Sequence, residues 1–299
     1  MEAPMSMRLR AQLGEWITAY IFLSPWLFIF LVFNVIAIGT AFYLSFTHYD
    51  LFSPPEWIGL EGYRRVLTND LFLRHALPNT LKYVLVVVPV QTALSLVIAF
   101  VLNQKIRFRR FFRTAYYLPS VTSSVVISLI FLWLFANTGL INQLFKTNIQ
   151  WLTSTTWALP TIMMVNIWST IGTMMLIFLA GLQDIPQSIY EAAQIDGASA
   201  PQIFFYITIP MLRPVIFFVV TLGVIGCFQV FDQIYVMTAG GPLDSTTTIA
   251  YLIFKWAFRD TTPRMGQAAA LAFILGVMIF AITMLNRRII EGGGAAAER

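Results

Sequence analysis

Six long apolar segments dominate this chain, and shorter polar stretches separate them. A helix needs about 20 consecutive apolar residues to cross the hydrocarbon core of a bilayer. Each segment is therefore predicted to be a membrane-spanning helix, with limits near residues 17–46, 80–102, 115–136, 159–182, 215–235 and 265–285. The predicted fold class is all-α, a polytopic membrane protein with six transmembrane helices.

Composition supports a membrane protein and excludes several kinds of site. Of the 299 residues, 58% are hydrophobic and 11% are charged, whereas an ordinary soluble domain has about 25% charged residues. Cys227 is the single cysteine, which excludes a disulfide framework and a cysteine-based metal site. His48 and His75 have no partner at ligand spacing, so no metal site and no cofactor are predicted in this chain.

The basic residues predict which side of the membrane each loop faces. Residues 103–114 carry the densest positive cluster, whereas the basic residues of the alternate loops are spread over longer segments. The positive-inside rule then places both termini and the loop at residues 183–210 in the cytoplasm. The net charge of +5 follows from this distribution and does not indicate nucleic acid as a partner. The predicted organisation is a cytoplasmic tail at 1–15, a transmembrane permease domain at 16–290 and a flexible cytoplasmic tail at 291–299.

The loop at residues 183–210 is predicted to form two short helices with a bend between them. Two capping boxes, a glycine stop and a proline in a first helical turn carry this prediction: Ser188 with Glu191, Gly197, Ser199 with Gln202, and Pro201. The second helix presents an apolar face formed by Ile203, Phe204 and Ile207. Spacing alone leaves two interpretations of Glu191: it caps its own helix, or it acts on a partner.

Part of this loop resembles a known signature. Glu-Ala-Ala, a glycine four residues after the second alanine, then nine residues and Ile-x-Leu-Pro is similar to the permease subunits of binding-protein-dependent ABC importers. The matching residues are Glu191, Ala192, Ala193, Gly197, Ile207, Ile209 and Pro210, with Ile209 in place of leucine. The resemblance implies that residues 183–210, here called the coupling loop, dock on a cytoplasmic ATPase subunit. The residues implied to act in this coupling are Glu191, Ala192, Ala193, Asp196, Gly197 and Pro210.

Two further segments extend the likeness over nearly the whole chain. The run R-R-F-F-R-T-A-Y-Y-L-P at 109–119 resembles the start of the third span in carbohydrate-uptake permeases. The run F-D-Q-I-Y-V-M-T-A-G-G-P at 231–242 resembles the outer end of the fifth span in the maltose-transporter-like group. Such a likeness implies a type I ABC importer fold in a bacterial or archaeal cytoplasmic (inner) membrane.

The same resemblance implies a set of partners. These are a second permease subunit, two copies of a nucleotide-binding ATPase subunit that bind the ATP and Mg²⁺, and an extracytoplasmic solute-binding protein. Because the loops at 47–79 and 236–264 face outward in the predicted topology, they are the expected docking surface for the binding protein.

The resemblance also implies where a solute is held. It maps the binding positions of the maltose-type member onto small and hydroxylated residues of spans three to five: Ser120, Ser124, Ser169, Thr170, Thr173, Gly223, Gly226, Cys227 and Val230. Asn166 is a further polar residue inside the fourth span. This set lacks the aromatic and amide groups that clamp maltose in that relative, so a different solute or a binding share for the partner permease is expected. Close helix packing is the alternative explanation, because small residues are enriched between membrane helices.

Chemistry that the sequence lacks narrows the function. Among the carboxylates only Asp232 lies inside a predicted span, and we interpret it as a packing residue rather than a proton carrier. The chain has no G-x-x-x-x-G-K-[ST] motif for binding ATP and no plausible Ser/His/Asp set, so it is not expected to be an enzyme. The expected function is ATP-driven uptake of a sugar or sugar-like solute by alternating access, coupled through residues 188–210. The alternatives are import of glycerol phosphate or another sugar phosphate, an ATP-independent secondary transporter or channel, and a structural scaffold.

Overall fold

The computed structural model describes residues 5–295, and side chains are described for residues 16–288. The first half contains helices α1 (Met5–Phe30), α2 (Ala37–Leu44), α3 (Glu61–Leu67), α4 (Leu77–Asn103), α5 (Arg109–Val121), α6 (Ser124–Leu134) and α7 (Leu140–Phe145). The second half contains α8 (Ala158–Asp184), α9 (Gln187–Ile195), α10 (Ala200–Ile203), α11 (Ile209–Met211), α12 (Arg213–Phe228), α13 (Asp232–Met237), α14 (Ile249–Phe254) and α15 (Met265–Ala295). Short π-helical segments extend several of them, at Leu31–Ile36, Phe72–Ala76, Phe204–Thr208 and Lys255–Arg259. A two-residue antiparallel pair, β1 (Thr47–His48) with β2 (Glu56–Trp57), lies between α2 and α3.

Five helical segments of the described chain are long and apolar enough to cross a membrane. They are Trp16–Leu44, Phe72–Asn103, Ala158–Asp184, Arg213–Met237 and Met265–Arg288, which confirms five of the six predicted spans. The second span begins earlier than predicted, because the Asn69 side chain accepts the Phe72 N–H at 3.1 Å and caps the helix there. Helices α1 and α15 extend into the two predicted tails, of which residues 1–4 and 296–299 lie outside the described residues.

The third predicted span is not one continuous helix, which corrects the sequence-based expectation. Helices α5 and α6 meet at 97° around Thr122, whose backbone is extended. Pro119 lacks an N–H and weakens the last turn of α5. The Ser120 hydroxyl donates to the Tyr117 carbonyl at 2.7 Å, and the Thr122 hydroxyl donates to the Leu118 carbonyl at 3.0 Å. Hydroxyl donors of this kind make a helix break tolerable within a membrane, and hydropathy alone does not reveal it.

The stretch at 236–264, predicted to be a hydrophilic loop, is largely packed against the bundle. It contains α14, and its large apolar side chains Leu252 and Trp256 are buried. The Asn79 amide donates to the carbonyl oxygens of Asp244 and Thr247 at 3.1 and 3.0 Å, which ties this stretch to α4. The prediction was wrong because charged residues such as Asp244 lower the local hydropathy, although the neighbouring apolar side chains are buried.

Two apolar cores hold the bundle together. The larger core joins the first halves of α4 and α8 to the end of α12 and to α13, α14 and α15. The smaller core joins the last turns of α4 and α8 to Leu212 and the first half of α12. Helices α4 and α8 pack along each other through both cores, so the region between the two cores falls near the middle of these helices.

Candidate functional site

The coupling loop forms two short helices joined at Gly197, as predicted. Gly197 has a φ of +78°, and its N–H donates to the Gln194 carbonyl at 3.1 Å. The Ala198 N–H donates to the Ala193 carbonyl at 2.9 Å. These two bonds are the Schellman arrangement that ends a helix, and its left-handed residue is usually glycine because a Cβ is strained there.

The first helix of the loop begins differently from the prediction. Helix α9 starts directly after Pro186, so Ser188 lies inside the first turn and does not cap it. The predicted capping box of Ser188 with Glu191 is therefore wrong. The Glu191 carboxylate instead accepts a hydrogen bond from the Gln187 amide at 2.9 Å, one helical turn earlier.

The second helix of the loop begins as predicted. The Ser199 N–H donates to the Gln202 side-chain oxygen at 2.8 Å, and Pro201 lies in the first turn of α10. The helix then continues through a π-helical segment into α11. The residues predicted to share an apolar face are all half-buried: Ile203, Phe204 and Ile207.

One side of the coupling loop packs on the bundle, and the other side is exposed. The Phe204 ring packs edge to face on the Phe100 ring of α4, with their centroids 4.8 Å apart. Of the predicted coupling residues, Glu191, Ala192, Asp196 and Gly197 are exposed, Ala193 is buried and Pro210 is half-buried. Apolar side chains that the sequence reasoning missed are also exposed there, namely Ile195, Phe205 and Tyr206, with exposed fractions of 85%, 61% and 78%. Several large exposed apolar side chains on one loop are typical of a protein contact surface.

A cavity of about 260 Å³ lies at the bend between α5 and α6, where they face α8 and α13. Its lining includes five of the predicted pathway residues: Ser120, Ser124, Ser169, Thr170 and Thr173. Thr122 and Gln233 also line it and were not predicted. The lining is rich in hydroxyl and amide groups and has no charged side chain among the described residues. Such groups can donate hydrogen bonds to a ligand and accept them from it.

Polar side chains that are buried or half-buried extend from this cavity across the bundle to α4, between the two apolar cores. We call Gln91, Ser95, Ser124, Ser169, Thr170 and Gln233 the polar layer. The Thr170 hydroxyl donates to the Gln91 side-chain oxygen at 3.0 Å, which joins α8 to α4. Gln91 in turn lies against Gly223 of α12, where a Cβ atom would come within 2.5 Å of the amide nitrogen. Gln91 was missed from the sequence, although a lone amide inside an apolar span was a visible signal.

Asp232 and Ser124 form a further contact across the bundle. The Ser124 hydroxyl donates a hydrogen bond to the half-buried Asp232 carboxylate, which joins the start of α6 to the start of α13. This contact supports the interpretation of Asp232 as a helix-packing residue.

The remaining predicted pathway residues are not brought to the cavity. They are Asn166, Gly223, Gly226, Cys227 and Val230, none of which is among the described residues that line it. Cys227 and Val230 are buried in the larger apolar core. Helix α12 packs on α4 and α15, whereas α5, α6, α8 and α13 form the cavity. A part for these five residues in a solute pathway stays a prediction.

The fold and the site define a multi-span membrane protein with a polar layer inside its helical bundle. Residues 91–291 match the model of a family described as the inner membrane component of binding-protein-dependent transport systems. The chain belongs to this family.

Individual relatives agree with this assignment. The probable ABC transporter permease protein YesP of Bacillus subtilis (strain 168) is 39% identical over 277 residues, 90% of this chain and 89% of that protein. The lactose transport system permease protein LacF of Rhizobium radiobacter is 37% identical over 229 residues, 74% of this chain and 76% of that protein. A chain from the crystal structure of a bacterial ABC transporter for the acidic polysaccharide alginate has a TM-score of 0.82 at 22% identity, with coverages of 95% and 98%. The fold match confirms the predicted type I importer architecture.

Proposed function

We propose that this chain is the non-catalytic transmembrane permease subunit of an ATP-driven importer for a sugar or sugar-like solute. One observation carries the proposal: the polar cavity at the α5–α6 bend lies beside the polar layer and between two apolar cores. A path for a hydrophilic solute needs polar groups inside the helical bundle. Polar residues inside a bundle that do not line a path are usually paired with one another.

The lining of the cavity favours a neutral, hydroxyl-rich solute. Hydroxyl groups of Ser and Thr and the amide of Gln233 can bind sugar hydroxyls in either direction. A phosphate is usually held by arginine or lysine, and neither residue lines the cavity within the described chain. Sugar phosphate is therefore the less favoured alternative. The name of one similar protein, a lactose transport permease, supports a carbohydrate.

The partners in this proposal are a second permease subunit, two ATPase subunits and an extracytoplasmic binding protein. ATP and Mg²⁺ are bound by the ATPase subunits, and this chain needs no cofactor of its own. The exposed face of the coupling loop, with Glu191 and Ile195, is the contact for one ATPase. Both termini then lie in the cytoplasm, on the side of this loop.

The contacts suggest how movement of the loop reaches the cavity. Phe204 of the loop packs on Phe100 of α4, and α4 also carries Gln91, which is bonded to Thr170 in the cavity lining. A displacement of the loop by the ATPase pair therefore shifts one wall of the polar layer relative to α8. This is a direct mechanical link for alternating access.

A purification in mild detergent tests the proposal. The wild-type chain is expected to bring down a second multi-span subunit and a nucleotide-binding subunit, identified by mass spectrometry. Glu191→Lys is expected to reduce the recovered ATPase and the uptake of labelled oligosaccharides by intact cells. Glu56→Lys reverses a charge on the β2 strand, away from the loop, and is the matched control for ATPase recovery. Recovery of the chain without an ATPase, with uptake unaffected by Glu191→Lys, would contradict the proposal.

A further inference from the structure

Where α4 passes into α5, the chain carries a dense group of cationic side chains. We call Lys105, Arg107, Arg109, Arg110 and Arg113 the basic cluster. Within residues 16–288 none of these five side chains forms an ion pair with a carboxylate. Like charges this close raise one another's free energy unless an anion lies among them. An anion bound among these side chains would lower their mutual repulsion.

Arg113 has a donor that the described chain leaves unused. Its Nη2 atom donates to the Leu102 carbonyl at 3.4 Å, which holds the guanidinium over the end of α4. Its Nε atom is enclosed and has no acceptor within the described residues. A buried donor without an acceptor is unfavourable. Arg109 lies one helical turn before Arg113 and is likewise half-buried, so the two residues lie on the same side of α5.

An apolar groove borders the basic cluster. It has a volume of about 260 Å³ and is lined by side chains from the last turns of α4 together with Ile106, Phe112 and Tyr116. Leu102 lines it too, and the carbonyl of the same residue accepts the Arg113 hydrogen bond. Arg113 therefore lies at the edge of the groove, next to Leu102. A ligand that fits both has an anionic end and a hydrocarbon end.

Exposed aromatic rings alternate with the basic residues along this segment. Phe108 and Phe111 are 66% and 67% exposed, and the Arg107 guanidinium lies 5.1 Å from the centre of the Phe108 ring. Helix α5 is amphipathic, and the chain bends by 97° between α5 and α6. Basic residues mixed with aromatic residues, as at the start of α5, are typical of segments at the headgroup level of a bilayer, whereas Tyr116 and Tyr117 further along α5 lie against Gly172 inside the bundle.

We propose that the basic cluster and this groove bind one acidic phospholipid. Its phosphate lies beside the Arg109 and Arg113 side chains, and one acyl chain lies along the groove. The assignment to the cytoplasmic leaflet rests on the orientation in the proposed function, and basic pockets between helices on that side are known to suit anionic headgroups. Because Phe100 of the same end of α4 supports Phe204 of the coupling loop, the lipid would also steady the base of that loop.

Native mass spectrometry of the chain purified with its partners tests the proposal. The complex is exchanged into mixed micelles with equal amounts of phosphatidylglycerol and phosphatidylcholine, and retained lipid is counted per complex. The wild type is expected to retain phosphatidylglycerol selectively. The variant R109Q/R113Q is expected to retain roughly thirtyfold less, because it removes two cations that each contribute about 1 kcal/mol to binding an anionic lipid near a membrane surface. Excess inorganic phosphate is expected not to displace the lipid, since phosphate cannot fill the groove.

Two further variants complete the test. Val101→Trp fills the groove without changing any charge and is expected to lower retention too, which separates the groove from simple charge attraction. R64Q/R65Q removes the same charge from α3 and is expected to retain lipid like the wild type. Equal retention of the two lipids by the wild type, or wild-type retention in both R109Q/R113Q and Val101→Trp, would overturn the proposal. Counting retained lipid needs neither ATP nor solute. The lipid proposal can therefore be contradicted while the proposed import function holds, and the import function can be contradicted while lipid retention is as expected.

Discussion

Hydrogen bonds between residues close in sequence fix the coupling loop, whereas bonds between residues far apart in sequence connect the helices at the polar layer. The bonds that fix the bend of the loop join residues five or fewer positions apart, as between Ala193 and Ala198. Besides local bonds to the helix backbone, side chains of the polar layer bond to partners 79 positions away, Thr170 to Gln91, and 108 positions away, Ser124 to Asp232. The loop is exposed on one side, whereas the layer lies between two apolar cores. The loop can therefore move as a unit, but any movement in the layer shifts one helix against another.

This difference predicts two kinds of variant. A change in the loop is expected to leave the bundle stable and to reduce coupling to the ATPase. A change in the layer, or in the helix contacts beside it, is expected to alter stability and transport together. Four substitutions test the distinction, and each has a matched control in the same chain.

Gly172→Ala is expected to have the largest effect. A Cβ atom at residue 172 would lie 2.2 Å from the Tyr116 carbonyl oxygen and 2.8 Å from the Tyr117 Cα. Because these are backbone atoms, α5 must move away from α8 to relieve the clash. Overpacking of this kind costs about 1–3 kcal/mol, so a clear fall in the midpoint of thermal unfolding and loss of most solute uptake are expected.

Gly276→Ala is the control for that substitution, because a Cβ at residue 276 meets nothing within 4 Å. It is expected to unfold at the wild-type temperature. If Gly172→Ala also behaved like the wild type, the close approach of α5 to α8 would be wrong, and with it the position of the cavity.

Gly197→Pro is expected to reduce transport about as strongly without destabilising the bundle. Proline cannot adopt the positive φ of residue 197, and it lacks the N–H that bonds to Gln194. A Cβ at this position meets no other atom within 4 Å, so the transmembrane helices should be unaffected. ATP hydrolysis stimulated by the loaded binding protein is the measurement, with a loss of about tenfold expected from a conformational cost above 1.4 kcal/mol.

Gly197→Asn separates the backbone conformation from the identity of the residue. Asparagine occurs at left-handed helix ends more readily than other residues, so this variant should keep most of the stimulated hydrolysis. Equal losses in the asparagine and proline variants would show that the bend matters less than the absence of a side chain at the ATPase contact.

The same contrast in range explains what the sequence predicted and what it missed. The bend at Gly197 and the start at Ser199 were predicted because their signals lie within a few residues of each other. The cap at Ser188 was predicted wrongly because α9 begins directly after Pro186, two residues before Ser188. The bend after Pro119 has local signals in Pro119 and in the hydroxyls of Ser120 and Thr122, but hydropathy does not distinguish it from a continuous span. The burial of Trp256 depends on contacts between distant helices, which no local pattern specifies. Five of the ten predicted pathway residues line the cavity, all on the chain segments that border the α5–α6 bend or face it from α8.

Ser124→Ala is expected to have an intermediate effect, because it leaves the half-buried Asp232 carboxylate without its donor from α6. Loss of a hydrogen bond to a charged group costs about 1.5–3 kcal/mol when buried, and less here because Asp232 is partly exposed. About fivefold slower uptake is expected, with a smaller change in thermal stability than for Gly172→Ala.

A double-mutant cycle with Asp232→Ala measures this contact directly. If the two residues act through one bond, the double variant is expected to be hardly worse than Ser124→Ala alone, with a coupling energy of about 0.5–3 kcal/mol. Strictly additive effects would mean that the two side chains act separately, and that α6 and α13 are held together by apolar packing instead.

Gly223→Ala is expected to have the smallest effect, because its Cβ would meet the end of a flexible side chain rather than backbone. The atom in the way is Nε2 of Gln91, at 2.5 Å. Gln91 can turn aside, but its oxygen then leaves the Thr170 hydroxyl, a loss of about 1 kcal/mol for a neutral hydrogen bond. Uptake is expected to fall by a factor of about three to five, while Gly276→Ala, with nothing within 4 Å of its Cβ, leaves it unchanged. If Gly223→Ala were neutral in uptake while the double variant Gly223→Ala with Thr170→Val were also neutral, Gln91 would be a packing residue only. The polar layer would then end at α8, and the link from the coupling loop through α4 to the cavity would have to run through the apolar cores.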